Sequence, residues 1–184
     1  VSRVFTAEEV AQLDAGFRTA WARHALMLDQ RAASGQVRRC HGDLHLRNIC
    51  LLGGQPRLFD CLEFSDEMAT VDVLYDLAFL LMDLWHLQLA DLANWTMNRY
   101  LDHTGVDAGF ALLPFFMAVR AAVRAHVTAA QADDGATPEN PHAREARAYH
   151  DLASRLLHRR PARLIAIGGF SGSGKSTVAD ALAA

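Results

Sequence analysis

The chain has 184 residues, enough for one domain with a sizeable core, and it is 51% apolar and 21% charged, the balance of an ordinary soluble protein. A net charge of −3 with scattered basic residues excludes a broad nucleic-acid-binding field, and the one basic cluster, His158-Arg159-Arg160 with Arg163, reads as a solvated helix end. Cys40, Cys50 and Cys61 fit neither a metal spacing nor a disulfide framework, no signal-peptide pattern opens the chain, and the most apolar stretch, Val71 to Leu92, is broken by Asp72, Asp76, Asp83, His86 and Asp91, so a cytoplasmic protein without a membrane span is expected.

Taken in chain order, Thr6-Ala7-Glu8-Glu9 is a capping-box pattern, in which Thr6 caps and Glu9 reaches back. Val10, Leu13, Phe17, Trp21, Ala25 and Leu28 follow at helical spacing, and Ser34-Gly35 predicts the stop. Val37 to Cys40 reads as a short strand, followed by a polar loop from His41 to Asn48. Ile49 to Leu52 and Pro56 to Phe59 are short strands around a Gly53-Gly54 turn, a hairpin that links Asn48 to Asp60. Helices are predicted from about Asp72 to Leu92, from Trp95 to His103, and from Phe110 to Gln131 with Pro114 near the first turn. Ala132 to Pro141 is a loop by its Asp-Asp-Gly and prolines, and Ala143 to His158 is helical until Pro161 breaks it. Arg163 to Ile167 reads as a buried strand, followed by a glycine-rich loop and a helix from Lys175.

Two constellations carry chemistry. His41-Gly42-Asp43-Leu44-His45-Leu46-Arg47-Asn48 has the H-x-D-x-x-x-x-N spacing of phosphoryl-transfer catalytic loops. An Asp there can orient an acceptor hydroxyl and receive its proton. An Asn five residues on can turn back to a metal ion on nucleotide phosphates, and Asp60 at the end of the return strand can supply the second metal-binding group. Zinc held by His41 and His45 would need a helix across Gly42-Asp43, which the glycine disfavours.

The segment His41 to Ile49 resembles the HGDLHxxNI loop of the aminoglycoside phosphotransferase family. Leu58-Phe59-Asp60-Cys61-Leu62-Glu63-Phe64 resembles its I-D-x-E/D segment, and Asp72 to Ala78 its D-x-x-x-D-L-A helix. The resemblance covers about residues 1–155. It implies the mainly helical C-terminal lobe of a protein-kinase-like fold with a small β-hairpin, with Asp43 as catalytic base and Asn48 and Asp60 on magnesium. His41 is expected to support the loop from below, and Asp76 to anchor it by hydrogen bonds. His45 is expected either to stabilise the loop or to touch substrate, and Glu63 either to assist metal or substrate binding or to do neither.

Gly169-Phe170-Ser171-Gly172-Ser173-Gly174-Lys175-Ser176 is G-x-x-x-x-G-K-S, a P-loop pattern, with an apolar run before it and helix-favouring residues after it, Thr177 first among them. In such a loop Gly169, Gly172, Ser173 and Gly174 let backbone N–H groups converge on phosphate, Lys175 reaches the β- and γ-phosphates, and Ser176 binds magnesium. The segment resembles the opening of small-molecule P-loop kinases. Two domains are therefore expected: residues 1–158 as a kinase-like lobe, and residues 162–184 as the first strand, P-loop and helix of an α/β domain.

The expected function is ATP- and magnesium-dependent transfer of a phosphoryl group to a small-molecule hydroxyl, with no nucleic-acid or membrane partner. The alternative is a non-catalytic, kinase-like regulatory module attached to a P-loop enzyme. The family pattern also includes a preceding strand-rich lobe with a Lys and a Glu for the phosphates, whereas residues 1–34 read as helical, so the chain is expected to be a fragment. Accordingly, the isolated 184-residue chain should show no phosphotransfer to hydroxyl acceptors in a coupled ADP-release assay. Turnover by the chain alone, abolished by Asp43→Ala, would overturn that expectation.

Overall fold

A computed structural model of the chain describes residues 4–105, 108–132, 140–158 and 166–183. The fold is mainly helical, with two small two-stranded sheets. Helix α1 (Ala7–Ala33) begins with the expected capping box, Thr6 Oγ1 accepting from Glu9 N at 3.1 Å and Thr6 N donating to Glu9 Oε2 at 2.7 Å. The Thr6 backbone N–H on the carboxylate is the main cause that holds the Glu9 carboxyl below its ordinary range. The helix closes at Ser34, and Gly35 follows at φ 76°, a left-handed backbone that glycine adopts without a Cβ penalty.

Strand β1 (Val37–Arg39) pairs antiparallel with β4 (Thr70–Asp72), Val37 opposite Asp72. Between them, β2 (Ile49–Leu52) and β3 (Gln55–Leu58) form the hairpin, Ile49 opposite Leu58. A short helix, α2 (Asp66–Ala69), leads into β4, and Ser65 caps it. The β1–β4 pairing and α2 were not expected.

Helix α3 (Val73–His86) is the spine of the molecule. Leu74, Ala78, Phe79, Leu81, Met82 and Leu84 are all buried on it, and each large apolar side chain contributes roughly 1.5–3 kcal/mol. A helix apolar on nearly all sides belongs inside. The single helix expected from Asp72 to Leu92 is instead two. Gln88 takes φ 62°, Leu89 N donates back to Leu84 O at 2.8 Å, and the chain restarts as α4 (Ala90–Thr104), ahead of the expected Trp95. That six-to-one bond closes a helix end whether or not a glycine is present, and no sequence breaker marks it.

Residues Ala108–Leu112 form a 3-10 turn, and α5 (Leu113–Ala132) follows. The apolar stretch Gly109–Ala132 is long enough to cross a membrane by composition alone. Here α5 packs against α3 and α6 (Pro141–Leu157) and carries the buried Arg120. Buried Ala118, Ala121, Ala125 and Ala129 recur every three or four residues along it, and small side chains permit close helix approach to buried Ala146 and Ala153 of α6. Asn140 caps α6 by accepting from His142 N at 2.9 Å, with Pro141 in the first turn.

The core of the Ala132–Pro141 loop, Pro161, Arg159, Arg160 and the first residues of the Arg163–Ile167 strand lie outside the described residues. Ala166 and Ile167 are described and are not in a strand. From Gly169 the chain turns into α7 (Lys175–Ala183).

A buried pair ties α1 to the start of α3. Arg31 reaches Asp72 with two bonds, at 2.6 and 2.9 Å, while Asp72 also caps α3 by accepting from Leu74 N at 2.8 Å. At the other end of α3, His86 stacks on Tyr149 of α6 at 3.8 Å, with Arg124 over the far ring at 5.6 Å.

Burial depresses the pKa of His86, opposed by nearby Asp83 and Glu145 and assisted by Arg124. A depressed histidine pKa means the unfolded chain binds more protons, so this contribution to stability is complete above about pH 6.5 and is lost as pH falls below it. The thermal midpoint should therefore drop between about pH 7.5 and pH 5, and less so in His86→Phe, which keeps the stack but cannot titrate. Equal slopes for the two proteins, followed by circular dichroism, would remove His86 as a source of the effect.

Candidate active site

The geometry begins with a polar residue that α3 cannot expose. Asp76 lies in the first turn of a buried helix, and an unpaired carboxylate there would be costly. Strand β1 solves this by delivering the chain across the helix N-terminus, with Cys40 N donating to Ala69 O at 2.8 Å. The next two backbone amides then meet the carboxylate: His41 N to Oδ2 and Gly42 N to Oδ1, both at 3.0 Å. The helix dipole favours a negative charge at this end.

From that anchor the loop turns outward. Gly42 has φ 82°, and a Cβ built on it would lie 2.6 Å from Leu62 Cδ1 and 3.1 Å from Leu62 Cβ. Both the backbone angle and the close approach require glycine. Asp43 comes next, its side chain 39% exposed. The amide of Asn48 closes the loop, with Nδ2 donating to the Asp43 carbonyl at 3.0 Å and to Asp43 Oδ2 at 3.1 Å. His45 Nε2 approaches the same Oδ2 at 3.3 Å, and its ring meets Phe79 edge-on at 5.1 Å. With Oδ2 taken twice, Asp43 Oδ1 is the oxygen left for another partner.

Three bonds fasten the loop to the segment after the hairpin. Phe59 N donates to Asn48 O at 3.1 Å, His41 Nε2 pairs with Phe59 O at 2.9 Å, and Leu62 N donates to His41 O at 2.9 Å. Asp60 therefore sits between two anchored positions, Phe59 and Leu62, two residues beyond the end of β3. It is exposed and has φ 59°, a left-handed angle that Asp tolerates better than bulkier residues. Sequence-distant Asp43, Asn48 and Asp60 are thus all attached to one loop-and-hairpin unit.

Asn48 and Asp60 offer oxygen donors, the kind magnesium takes. Both Asn48 Nδ2 bonds run to Asp43, which leaves its side-chain oxygen as the donor for a metal, and Asp60 is exposed. Among the described residues no group of three His, Cys, Asp or Glu side chains forms a metal cage by itself.

His41 lies under the loop. Its Nε2 is tied to Phe59 O, while its Nδ1 and the Nδ1 of His45 are buried with no hydrogen-bond partner among the described residues. No hydrogen bond among the described residues joins Glu63 to the group; its side chain accepts from Cys61 Sγ at 3.9 Å. Two contacts were missed in the sequence. Asp83 Oδ2 accepts from Leu46 N at 3.0 Å and so holds the 3-10 turn Leu46–Asn48, and Arg120 reaches the Gly42 carbonyl at 3.2 Å. The signal for Asp83 was present, an acidic residue interrupting an apolar helix.

The second constellation lies apart. Gly172 and Gly174 have φ 79° and 81°, and Lys175, at the start of α7, donates from Nζ to Phe170 O. A Cβ on Gly169 would lie 2.8 Å from Ser173 Oγ. Ser176 and Thr177 follow in the first turn of α7. Among the described residues no hydrogen bond or ion pair joins this segment to His41–Asn48. Nor is Asp43, Asn48 or Asp60 part of the cavities of about 700 Å³ beside Arg31 and Tyr100 or about 660 Å³ beside Trp21 and Phe115.

Substituting Gly42 should be expensive for two reasons at once. Gly42→Ala should lower the urea unfolding free energy by about 2–4 kcal/mol. Gly35→Ala, at a similar φ with nothing within 4 Å of the added Cβ, should cost only about 1–2 kcal/mol. Equal losses would show that the Leu62 contact does not constrain the loop.

The sequence profile of the APH phosphotransferase enzyme family matches residues 3–108, a span that contains the loop, the hairpin and Asp76. Uncharacterized proteins of two Mycobacterium tuberculosis strains and of Mycobacterium bovis are 38% identical over 153 residues, 83% of this chain and 30% of each relative. The chain thus spans less than a third of the length of these curated relatives. No solved structure matches it. With more than half of its residues matched, the chain belongs to the phosphotransferase enzyme family.

Proposed function

We propose that residues 1–158 form the catalytic lobe of an ATP- and magnesium-dependent kinase that phosphorylates a hydroxyl group on a small molecule. The observation that carries this reading is the Asn48 amide, which binds both the backbone and the carboxylate of Asp43. A candidate base and a candidate metal-binding amide are thereby held together at the hairpin end next to Asp60. Family membership supports the reaction class.

In this reading Asp43 Oδ1 accepts a hydrogen bond from the acceptor hydroxyl and aims its oxygen at the γ-phosphorus. As the new P–O bond forms and the bond to ADP breaks, the hydroxyl proton passes to Asp43. Asn48 Nδ2 donates to Oδ2 and the His45 ring stands 3.3 Å from the same oxygen, so that edge of the carboxylate is held. Asn48 Oδ1 and the Asp60 carboxylate would hold magnesium. When bound, the ion neutralises charge on the phosphate oxygens. Positioning and charge stabilisation supply most of the rate in such transfers. Asp76 acts through the loop and touches no reactant.

Residues 162–184 are proposed as the start of a second nucleotide-binding unit. Support comes from the G-x-x-x-x-G-K-S pattern, the left-handed Gly172 and Gly174, and the helix that begins at Lys175. In that unit the loop amides would hold phosphate with Lys175, and Ser176 would reach magnesium.

The two sites can be disabled one at a time in the full-length protein. Asp43→Asn should cut turnover by ~10²–10⁴-fold while nucleotide binding at the kinase-like lobe stays intact. Lys175→Ala should abolish only the activity that depends on the P-loop. The readout is ATP consumption across candidate hydroxyl acceptors, with both single variants and the double variant. If Lys175→Ala removes all turnover and Asp43→Asn changes nothing, the kinase-like lobe is a regulatory module and not a catalyst.

A further inference from the structure

We infer that Arg120 of α5 is a positioning residue for phosphoryl transfer, holding the Gly42 carbonyl so that the Asp43 carboxylate faces its acceptor. The inference rests on the kinase reading above for its catalytic consequence, and on geometry alone for the loop contact.

Arg120 lies in the middle of α5, 8% exposed. Its guanidinium is sandwiched over the rings of Tyr75 at 3.9 Å and Phe79 at 4.6 Å, one helical turn apart on α3. Nε donates to Tyr75 O at 3.4 Å, and Nη2 donates to Gly42 O at 3.2 Å. Nη2 also stands 3.8 Å from Asp76 Oδ1. Burial works against this cation and lowers its pKa, and the nearby Tyr75, Asp76 and Asp43 oppose the shift.

The arrangement fixes one residue from both ends. Asp76 accepts from Gly42 N, and Arg120 donates to Gly42 O. The carbonyl of Gly42 and the N–H and Cα of Asp43 share one planar peptide unit. Pinning that oxygen therefore orients the Cα of Asp43 and the direction in which its side chain leaves the chain. Gly42, at φ 82°, has no side chain of its own to resist rotation. On the near side Asp76 accepts from Gly42 N and Leu62 N holds the His41 carbonyl of the same peptide, while Arg120 fixes the peptide that follows. A lysine could keep the charge but not the planar fork that meets two carbonyls at once.

The test uses Arg120→Met and Arg120→Lys in the full-length protein, with Asp43→Asn as reference. Arg120→Met should lower kcat about 10²-fold, the usual consequence of a slightly misplaced catalytic group, with KM for nucleotide and acceptor near wild type. Arg120→Lys should recover part of the loss. Amide hydrogen exchange should show faster exchange at His41, Gly42 and Asp43, with the interior amides of α3 and α5 still protected.

Wild-type kcat in a folded Arg120→Met protein overturns the proposal, as does unchanged exchange at the loop. Loss of protection throughout α3 and α5 in both variants also overturns it, since Arg120 would then serve only the core. If Asp43→Asn leaves turnover unaltered, the kinase reading fails, and the exchange data still decide whether Arg120 holds the loop.

Discussion

Everything at the candidate site hangs from the buried carboxylate of Asp76. Its two oxygens accept from two consecutive backbone amides, those of His41 and Gly42, so the loop starts at a fixed point with a fixed direction. Hydrogen bonds to a charged group contribute about 1.5–3 kcal/mol each, and a buried charge that lost them would be strongly destabilising. The helix needs the loop to satisfy its carboxylate as much as the loop needs the helix for a foundation. Helix α3 repeats the device along its length. Asp72 accepts from Arg31 and Leu74 N, and Asp83 accepts from Leu46 N. The apolar residues between them bury the helix, so its acidic residues become fixed attachment points.

Rigid below and open above is the consequence. The loop floor consists of buried Asn48 and Asp76 with half-buried His41 and His45, while Asp43 and Asp60 look outward. The hairpin is held by its own backbone ladder and by the bonds at Asn48 and Phe59, because its side chains other than Ile49 are exposed. Leu51, Leu52, Leu58 and Phe59 are among them. Position and access are thus supplied by different parts of the same unit. Backbone bonds set where the polar groups stand, and solvent-facing side chains leave them reachable.

The two phosphate-related motifs differ in how much surrounding structure they need. The segment Gly169–Ser176 is local: glycines, a turn and a helix start lie within a few residues, and the pattern specifies its own shape. The segment His41–Asn48 is not. Its shape depends on β1 pairing with β4, on the carboxylate of α3 and on the segment after the hairpin. The family match falls on this second, distributed arrangement.

What the sequence determined by itself is the set of features whose partners lie within about one helical turn or one tight turn. The Thr6–Glu9 cap, the Gly53-Gly54 hairpin, the Gly35 stop and the helices at Phe110–Gln131 and Ala143–His158 were legible for that reason, to within a few residues. The H-x-D-x-x-x-x-N spacing likewise marked Asp43 and Asn48, whose mutual bond spans five residues. Tertiary structure decided the rest. The break at Gln88 carries no glycine or proline and is closed by a bond back to Leu84. Strand β1 finds β4 only because α3 must bury its apolar sides and cover Asp76. The contact from Arg120 to Gly42 spans 78 positions. Residues that far apart leave no periodicity to read, since a local pattern reports a chain's interactions with itself over a few residues, and only the folded packing brings a guanidinium on one helix to a carbonyl on another.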